Sequence, residues 1–316
     1  MKSDLFLGID TSNYTTSVAV VNGEGEILAN SKRLLTVKEG ACGLRQSDAL
    51  FLHTVNLPDI LSSVKEHLPI SPSAIGVSST PRRAEGSYMP CFLAGVSAAN
   101  AASLASGAPL YSFSHQCGHL MAAIVSSERY DVLEKTFCAF HVSGGTTEIL
   151  TVDFRGNGFD ARLVGGTRDL NAGQVIDRIG VMLGLAFPAG PMLEKLALQN
   201  EKEIPKRKFS IDGTYTNLSG LENMARKLYE ESGDKALTAA FTLRFIADTL
   251  DKLTENYFAK FGEMPVIYAG GVMSNALIQK QLSLKYDAGF AVPQLSSDNA
   301  VGIAMLAKHR FYHTEG

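Results

Sequence analysis

Leu5-Phe6-Leu7-Gly8-Ile9, then Asp10-Thr11-Ser12-Asn13, then Thr15-Thr16-Ser17-Val18-Ala19-Val20-Val21 is the stretch on which the fold turns. An apolar run, a polar turn and a β-branched run read as two strands joined tightly, and Asn22-Gly23-Glu24-Gly25 closes them as a hairpin turn. The same order of parts returns at mid-chain. Phe137 to Val142 reads as a strand, Ser143-Gly144-Gly145 as a tight turn, Thr146 to Val152 as a strand, and Gly156-Asn157-Gly158 as the closing turn. Two such units, each opening a half of similar length, predict a duplicated fold with a cleft between the halves.

The stretches between them are mainly helical. Asp59 to His67 has helical patterning with Pro58 as a first-turn residue. Cys91 to Ser106 is rich in alanine, glycine and serine, which lets a helix pack closely on a sheet. Gln174 to Leu185 and Lys235 to Phe261 space their apolar residues three or four apart. Asp212 to Ser219 reads as a polar loop after the basic stretch Lys202 to Lys208. Val266 to Ala269 reads as a late buried strand, and Asn275 to Lys285 as a helix. Strands alternating with helices give the α/β class. The expected lobes are 1–112 with 295–316, and 113–294.

Composition narrows the function. At 316 residues the chain exceeds the usual size of one compact domain, so two lobes are expected. A formal charge of −3 gives no general attraction for phosphate backbones, so any nucleic-acid contact needs a local basic patch or a partner. Cys42, Cys91, Cys117 and Cys138 include no Cys-x-x-Cys pair, which argues against a disulfide framework or thiolate zinc cage and fits a reducing cytoplasm. No apolar run approaches the roughly eighteen residues of a membrane helix, so no membrane partner is expected.

Four motifs offer chemistry, and each has a plain structural alternative. The Ser143-Gly144-Gly145-Thr146-Thr147 turn can present backbone N–H groups to a phosphate; alone, it is a glycine hairpin. Its pairing with the Asp10-Thr11-Ser12 turn favours phosphate binding. Ala269-Gly270-Gly271-Val272 lets a flat ligand lie against backbone; alone, it is a strand-to-helix connection with Ser274 as N-cap. His115-Gln116-Cys117-Gly118-His119 sets two imidazoles at i and i+4 on one helix face, within reach of one metal ion. Two ordinary histidines at that spacing are commoner, and a third ligand is needed; Asp298 can supply it if the C-terminal segment folds back. There is no His-Glu-x-x-His, which argues against a zincin peptidase. Asp177 on its helix suits ribose hydroxyls or, equally, a surface Asp177–Arg178 face.

In this order the pieces resemble the TsaD/Gcp family of tRNA adenosine threonylcarbamoyltransferases, formerly described as O-sialoglycoprotein endopeptidases. Gly8-Ile9-Asp10-Thr11-Ser12 resembles the family's Gly-Ile-Glu-Thr-Ser, His115 to His119 its His-Met-Glu-Gly-His, and Val142 to Gly145 its Val-Ser-Gly-Gly. Gly173 to Arg178 is similar to Gly-Glu-Ala-Phe-Asp-Lys, and Leu183 to Pro191 to Leu-Gly-Leu-Asp-Tyr-Pro-Gly-Gly-Pro. Asn217 to Leu221, Ala269 to Asn275 and Ser297-Asp298-Asn299 complete the collinear set. The resemblance implies an actin-like fold, two lobes around a central nucleotide cleft. It implies an iron(II) or zinc ion held by His115, His119 and Asp298. It places Val142, Ser143, Gly144, Gly145, Asp177, Gly190, Gly271 and Asn275 around ATP or an acyl-adenylate. Implied partners are an adenine nucleotide, tRNA and a subunit of the same superfold. Beyond the metal site no catalytic side chain stands out.

The departures are Cys117 for glutamate, Thr146 for histidine, Gln174 for glutamate, Asn13-Tyr14-Thr15 for Cys-Asp-Glu, and Thr80-Pro81-Arg82-Arg83-Ala84-Glu85-Gly86 for Ala-Gly-Pro-Gly. They suggest a diverged paralogue. The expected activity is transfer of a threonylcarbamoyl or related carbamoyl group; the alternatives are a non-catalytic partner subunit, a glycoprotease-type metallopeptidase, or a small-molecule kinase of the same superfold. Arg82-Arg83 can contact an anion or remain solvated.

Overall fold

The computed structural model describes residues 4–12, 14–36, 44–83, 85–156, 158–296 and 300–314. Along the chain run β1 (Leu5–Ser12), β2 (Thr15–Asn22), β3 (Ile27–Leu34), α1 (Gln46–Ser63), β4 (Ala74–Thr80), α2 (Phe92–Ser106), β5 (Leu110–Ser114) and α3 (His115–Ser126). There follow β6 (Phe137–Val142), β7 (Thr147–Phe154), β8 (Phe159–Thr167), α4 (Ala172–Met182), α5 (Gly190–Ala197), β9 (Ser210–Asp212) and β10 (Tyr215–Asn217). The last are α6 (Ser219–Ser232), α7 (Lys235–Phe261), β11 (Val266–Ala269), α8 (Ala276–Ser283), β12 (Ala288–Phe290), α9 (Pro293–Ser296) and α10 (Val301–Thr314).

These elements divide into two compact units. The first holds Met1–Tyr130, Phe154–Asp160 and Gln294–Gly316. Its sheet has the order β3-β2-β1-β4-β5, with β1 antiparallel to β2 and parallel to β4. Every residue of β1 and β2 is buried, so both faces of the sheet are covered. The two-residue side-chain period assigns each face. Leu5, Leu7 and Ile9 join Leu57 and Ile60 of α1 and Ala94 and Ala99 of α2 in one core. Phe6 and Gly8 turn toward α10, where the Phe6 and Phe311 rings lie 5.6 Å apart. A Cβ on Gly8 would lie 2.4 Å from the Ala300 carbonyl oxygen, so glycine is what lets α10 approach the strand.

The second unit holds Asp131–Asp153 and Ala161–Pro293. Its sheet runs β12-β11-β6-β7-β8-β10-β9. Stripped of β9 and β10, it repeats the first sheet's order with β6 in the place of β1, and β6 again pairs antiparallel with the next strand and parallel with a late one, β11. The duplication read from the two strand–turn–strand units is therefore present in the strand order. The core gathers around α7, with Phe241, Ile246, Leu250 and Tyr257 buried beside Phe140 of β6 and Ile176 of α4.

Several local expectations need correction. Pro58 sits inside α1, not in its first turn, and the helix begins at Gln46. A stripe of buried Ala49, His53, Leu57 and Ile60 at helical spacing overrides the proline. Residues 212–219 are not all loop: β9 and β10 form a hairpin, with Gly213 in the left-handed region (φ 58°) at its turn. Asn275, not Ser274, caps α8, its Oδ1 accepting from the N–H of Leu277 and Ile278 at 3.1 Å. Helix α3, placed by the 112/113 boundary in the second lobe, belongs to the first unit because it packs against α10. Cys91, Cys117 and Cys138 are buried and form no disulfide among the described residues, and burial pushes the Cys138 thiol pKa well up; Cys42 lies outside the described residues. Among the described residues no helix is long and apolar enough to cross a membrane.

One histidine of this packing sets a pH dependence. The His309 ring stacks on His313 at 3.9 Å and lies edge-on to Phe154 at 4.5 Å. Loss of hydration on burial, reinforced by His313 and Lys308, pushes its pKa from 6.5 down to about 4. The unfolded chain therefore takes up a proton between pH 6.5 and 4 that the folded chain refuses, and stability falls as pH falls through that window. His309→Phe is expected to flatten this part of the profile of melting midpoint against pH. Identical slopes in the two proteins would refute the assignment.

Candidate functional site

In the first unit a polar cluster forms where β1 and β4 end and α3 begins. Asp10 is fully buried within an otherwise sealed strand, so its carboxylate must be satisfied internally. It is: Ser12 Oγ donates to Oδ2 at 2.8 Å, Ser78 Oγ donates to Oδ1, and His115 Nδ1 lies 3.1 Å from Oδ2. A carboxylate so placed accepts, so the His115 proton sits on Nδ1 and the Nε2 lone pair points away from Asp10. Ser114 caps α3, its Oγ accepting from the Cys117 N–H at 3.3 Å, and the i, i+4 spacing brings His119 onto the same face. The two Nε2 atoms stand 2.8 Å apart and the rings meet edge to face, with centroids 4.3 Å apart. Two bare lone pairs cannot face each other at that distance; a proton or a cation belongs between them.

Asp298, the third ligand expected from the sequence, lies outside the described residues with Ser297 and Asn299. Among the described residues no three His, Cys, Asp or Glu side chains gather as a metal site. Thr11, read as part of a phosphate turn, is engaged structurally: its Oγ1 donates to the Cys91 carbonyl at 3.1 Å and accepts from the Gly95 N–H at 3.1 Å.

In the second unit the glycine motifs come together. β6 and β11 run parallel with Ala269 beside His141, so the turns after Val142 and after Ala269 leave the sheet side by side. Gly270, at φ 97°, is pressed onto β6, where a Cβ would lie 2.3 Å from the Val142 carbonyl oxygen. The turn from Gly271 to Ser274 touches both β6 and α4. Ser143 Oγ accepts from the N–H groups of Gly145 at 3.3 Å and Thr146 at 3.1 Å, while Gly144 and Gly145 stay exposed with open space where a Cβ would stand. Asp177 Oδ1 accepts from the Ala189 N–H at 2.8 Å, and this holds the loop that delivers Gly190. Glu194, which the sequence did not single out, accepts from the Ala276 N–H at 2.7 Å and ties α5 to the start of α8 beside Asn275.

Two departures from the family pattern prove local. Cys117 lies on the opposite side of α3 from the histidines, buried between Ser114 Oγ at 3.2 Å and the Phe159 carbonyl at 3.6 Å. Gln174 completes a capping box, its Oε1 accepting from the Asn171 N–H at 3.0 Å, a task glutamine performs as well as glutamate. The Ala172 and Gly173 N–H groups are taken by Thr147 Oγ1 at 2.9 Å and the Ser143 carbonyl at 3.1 Å, so this helix end is occupied by its own chain. Asn13 and Ala84, within the other departures, lie outside the described residues.

What the sequence missed is the role of Asp10, read only as a turn residue. The signal was available in principle: a charged residue ending an apolar strand needs a buried partner.

Comparison with known proteins identifies the family. The TsaD family profile, described as tRNA N6-adenosine threonylcarbamoyltransferase, matches residues 30–305. A Streptococcus suis (strain 05ZYH33) protein named tRNA N6-adenosine threonylcarbamoyltransferase is 30% identical over 324 residues, covering 97% of this chain and 92% of its own. Among solved structures, component A of (R)-2-hydroxyglutaryl-CoA dehydratase from Acidaminococcus fermentans superposes with a TM-score of 0.56 at 16% identity, over 98% of this chain and 99% of that one. Full-length HypF in its phosphate- and nucleotide-bound form gives 0.59 at 11% identity, over 100% of this chain and 57% of that one. At such identities these two speak for the fold alone, which is the actin-like ATPase fold. By sequence, strand order and collinear motifs, the chain belongs to the TsaD family.

Proposed function

We propose that this protein is a transferase that moves a threonylcarbamoyl group from an adenylate to the exocyclic amine of a tRNA adenosine, with one divalent ion, iron(II) or zinc, held at His115 and His119. The observation that carries the reading is the pair of Nε2 atoms 2.8 Å apart, with Asp10 behind His115. At that separation both nitrogens can reach one ion at about 2.0–2.1 Å. Asp298 is the third ligand the family resemblance supplies. When bound, such an ion polarises the carbamoyl carbonyl.

The chain's own groups account for the rest. Asp10 fixes the His115 tautomer and ring direction. The open turns at Gly144, Gly145 and Gly271 leave backbone accessible to phosphate and purine. Asp177, one oxygen of which holds Ala189, offers the other to a ribose hydroxyl. In the transfer, the amine nitrogen bonds to the carbamoyl carbon and the carbon–oxygen bond to the adenylate phosphate breaks. AMP departs with the electron pair, and the amine loses one proton to solvent. Positioning the two reactants suffices, and no side-chain nucleophile is required.

The non-catalytic alternative drew on lost polar groups, yet Cys117 faces away from the histidines and Gln174 keeps its capping task. The deciding experiment joins metal analysis of the purified protein to threonylcarbamoylation of unmodified tRNA supplied with threonylcarbamoyl-adenylate. One bound ion and modified tRNA are expected. Turnover absent with the ion present would redirect the search to another acceptor; absence of both would end the transferase reading.

A further inference from the structure

Behind α3, on the side away from the histidines, the first unit contains a cavity of about 200 Å³. Its polar wall is made of Arg83, Arg310, Ser79, Thr80, Ser112 and Ser114. Cys117 and Gly158 help close it, and no carboxylate appears among its described lining residues. Two guanidinium groups face this space with N–H donors, while three of the hydroxyls are turned to the chain itself: Ser79 Oγ donates to the Phe113 carbonyl at 3.3 Å, Thr80 Oγ1 to the Arg82 carbonyl at 3.2 Å and Ser114 Oγ to Cys117 Sγ at 3.2 Å.

The positions of these residues follow from the fold. Ser79 and Thr80 end β4, and Ser112 and Ser114 belong to β5, its parallel neighbour, so the hydroxyls collect at one sheet edge. Arg310 comes from the last turns of α10, its guanidinium 5.0 Å above the Tyr111 ring centroid, which orients the charge before any ligand arrives. Arg83 stands on the loop after β4. That loop is tied down where the Pro81 carbonyl accepts the Gln116 N–H at 3.1 Å and where Ser87 Oγ accepts the Arg82 N–H at 3.1 Å.

Size limits the ligand. Small-molecule pockets usually run from about 300 to 1,000 Å³, and liquid water takes about 30 Å³ per molecule. A space of about 200 Å³, open to solvent on one side, admits a single tetrahedral oxyanion with a few waters. Arginine's planar fork matches phosphate oxygens in pairs.

We infer that this cavity binds one phosphate group, held by the guanidinium N–H groups of Arg83 and Arg310. It is a site separate from the histidine pair, on the opposite side of the same helix. The phosphate can be a free ion or small ester, or one backbone phosphate of RNA; with a net charge of −3, a local pocket of this kind is what such a group would find attractive.

The test is a calorimetric titration of the full chain with inorganic phosphate at constant ionic strength. Saturable one-to-one binding is expected, weakened by about tenfold or more in Arg83→Ala, the cost of one charge-assisted contact. Arg310→Gln can also disturb packing on Tyr111, so the decisive variant is Arg83→Ala, at an exposed position on its loop. Failure of the native chain to saturate with millimolar phosphate, or an unchanged affinity in Arg83→Ala, overturns the proposal. A second titration uses a short single-stranded RNA. If Arg83→Ala weakens it and inorganic phosphate competes with it, the site takes a backbone phosphate. If RNA binding ignores Arg83 while phosphate binding depends on it, the ligand is free phosphate. Binding is the readout throughout, so the result stands apart from transferase activity.

Discussion

His119→Ala is expected to strip the purified protein of its divalent ion and reduce threonylcarbamoyl transfer by more than about a hundredfold, while the fold survives. Removing a group that merely orients a metal ligand already costs about 10–100-fold in affinity or activity, and the proposed function makes His119 a ligand itself. Its ring is only partly buried, and its edge-to-face contact with His115 is worth about 0.5–1.5 kcal/mol, so the circular-dichroism spectrum and melting curve should change little. Asp10→Asn provides a graded comparison. The amide can still meet His115 but no longer enforces a proton on Nδ1, so the ion should be retained more weakly, by about 10–100-fold. Elemental analysis, cobalt-substituted absorption spectra and transfer rates measured on the three proteins should fall in the order native, Asp10→Asn, His119→Ala. A His119→Ala protein that keeps a full equivalent of tightly bound ion would remove the metal site from the proposal.

Gly302→Val should be the most destabilising single substitution in the first unit. A Cβ at Gly302 would stand 1.9 Å from the Gly118 carbonyl oxygen and 2.9 Å from the Ala122 nitrogen. Both neighbours are backbone of α3, so no side-chain rotation relieves the overlap, and Gly118 in turn leaves no room for a side chain, since a Cβ there would lie 2.9 Å from Ile303 Cδ1 of α10. The helices must separate, which opens the core between them; a loss of about 3 kcal/mol or more is expected. Gly220→Ala, in the first turn of α6 with open space at its Cβ, is the control and should gain up to about 1 kcal/mol through reduced backbone freedom in the unfolded chain. Chemical denaturation followed by fluorescence and circular dichroism measures both. A Gly302→Val midpoint equal to that of the native chain would mean that α3 and α10 do not cross as closely as described. The consequence reaches the site, because α3 carries both histidines.

Where local chemistry dictates shape, reading the chain was sufficient. The repeated strand–turn–strand units became β1–β2 and β6–β7, and the bounds of α7 and β11 agree with their apolar periodicity. Helix α1 went wrong because a local rule, proline in a first turn, lost to a buried stripe that only the sheet beneath it makes worthwhile. The hairpin of β9 and β10 was hidden because three-residue strands have no periodicity to detect; their partner, β8, creates them.

The site divides along the same line. His115 and His119 share a face because four residues make just over one helical turn, and the glycine turns are legible because only glycine tolerates such close backbone. The partner of His115 was a different matter. Asp10 lies 105 positions away, and its place beside the imidazole follows from β1 pairing with β4, β4 with β5, and β5 leading straight into α3. Likewise Arg83 and Arg310 share a cavity only because α10 returns to the edge of that sheet. Helical and strand periods are properties of neighbouring residues, so they are written in the order of the chain. The meeting of distant polar groups is set by how whole layers pack, a quantity to which every buried residue contributes and which no short segment encodes.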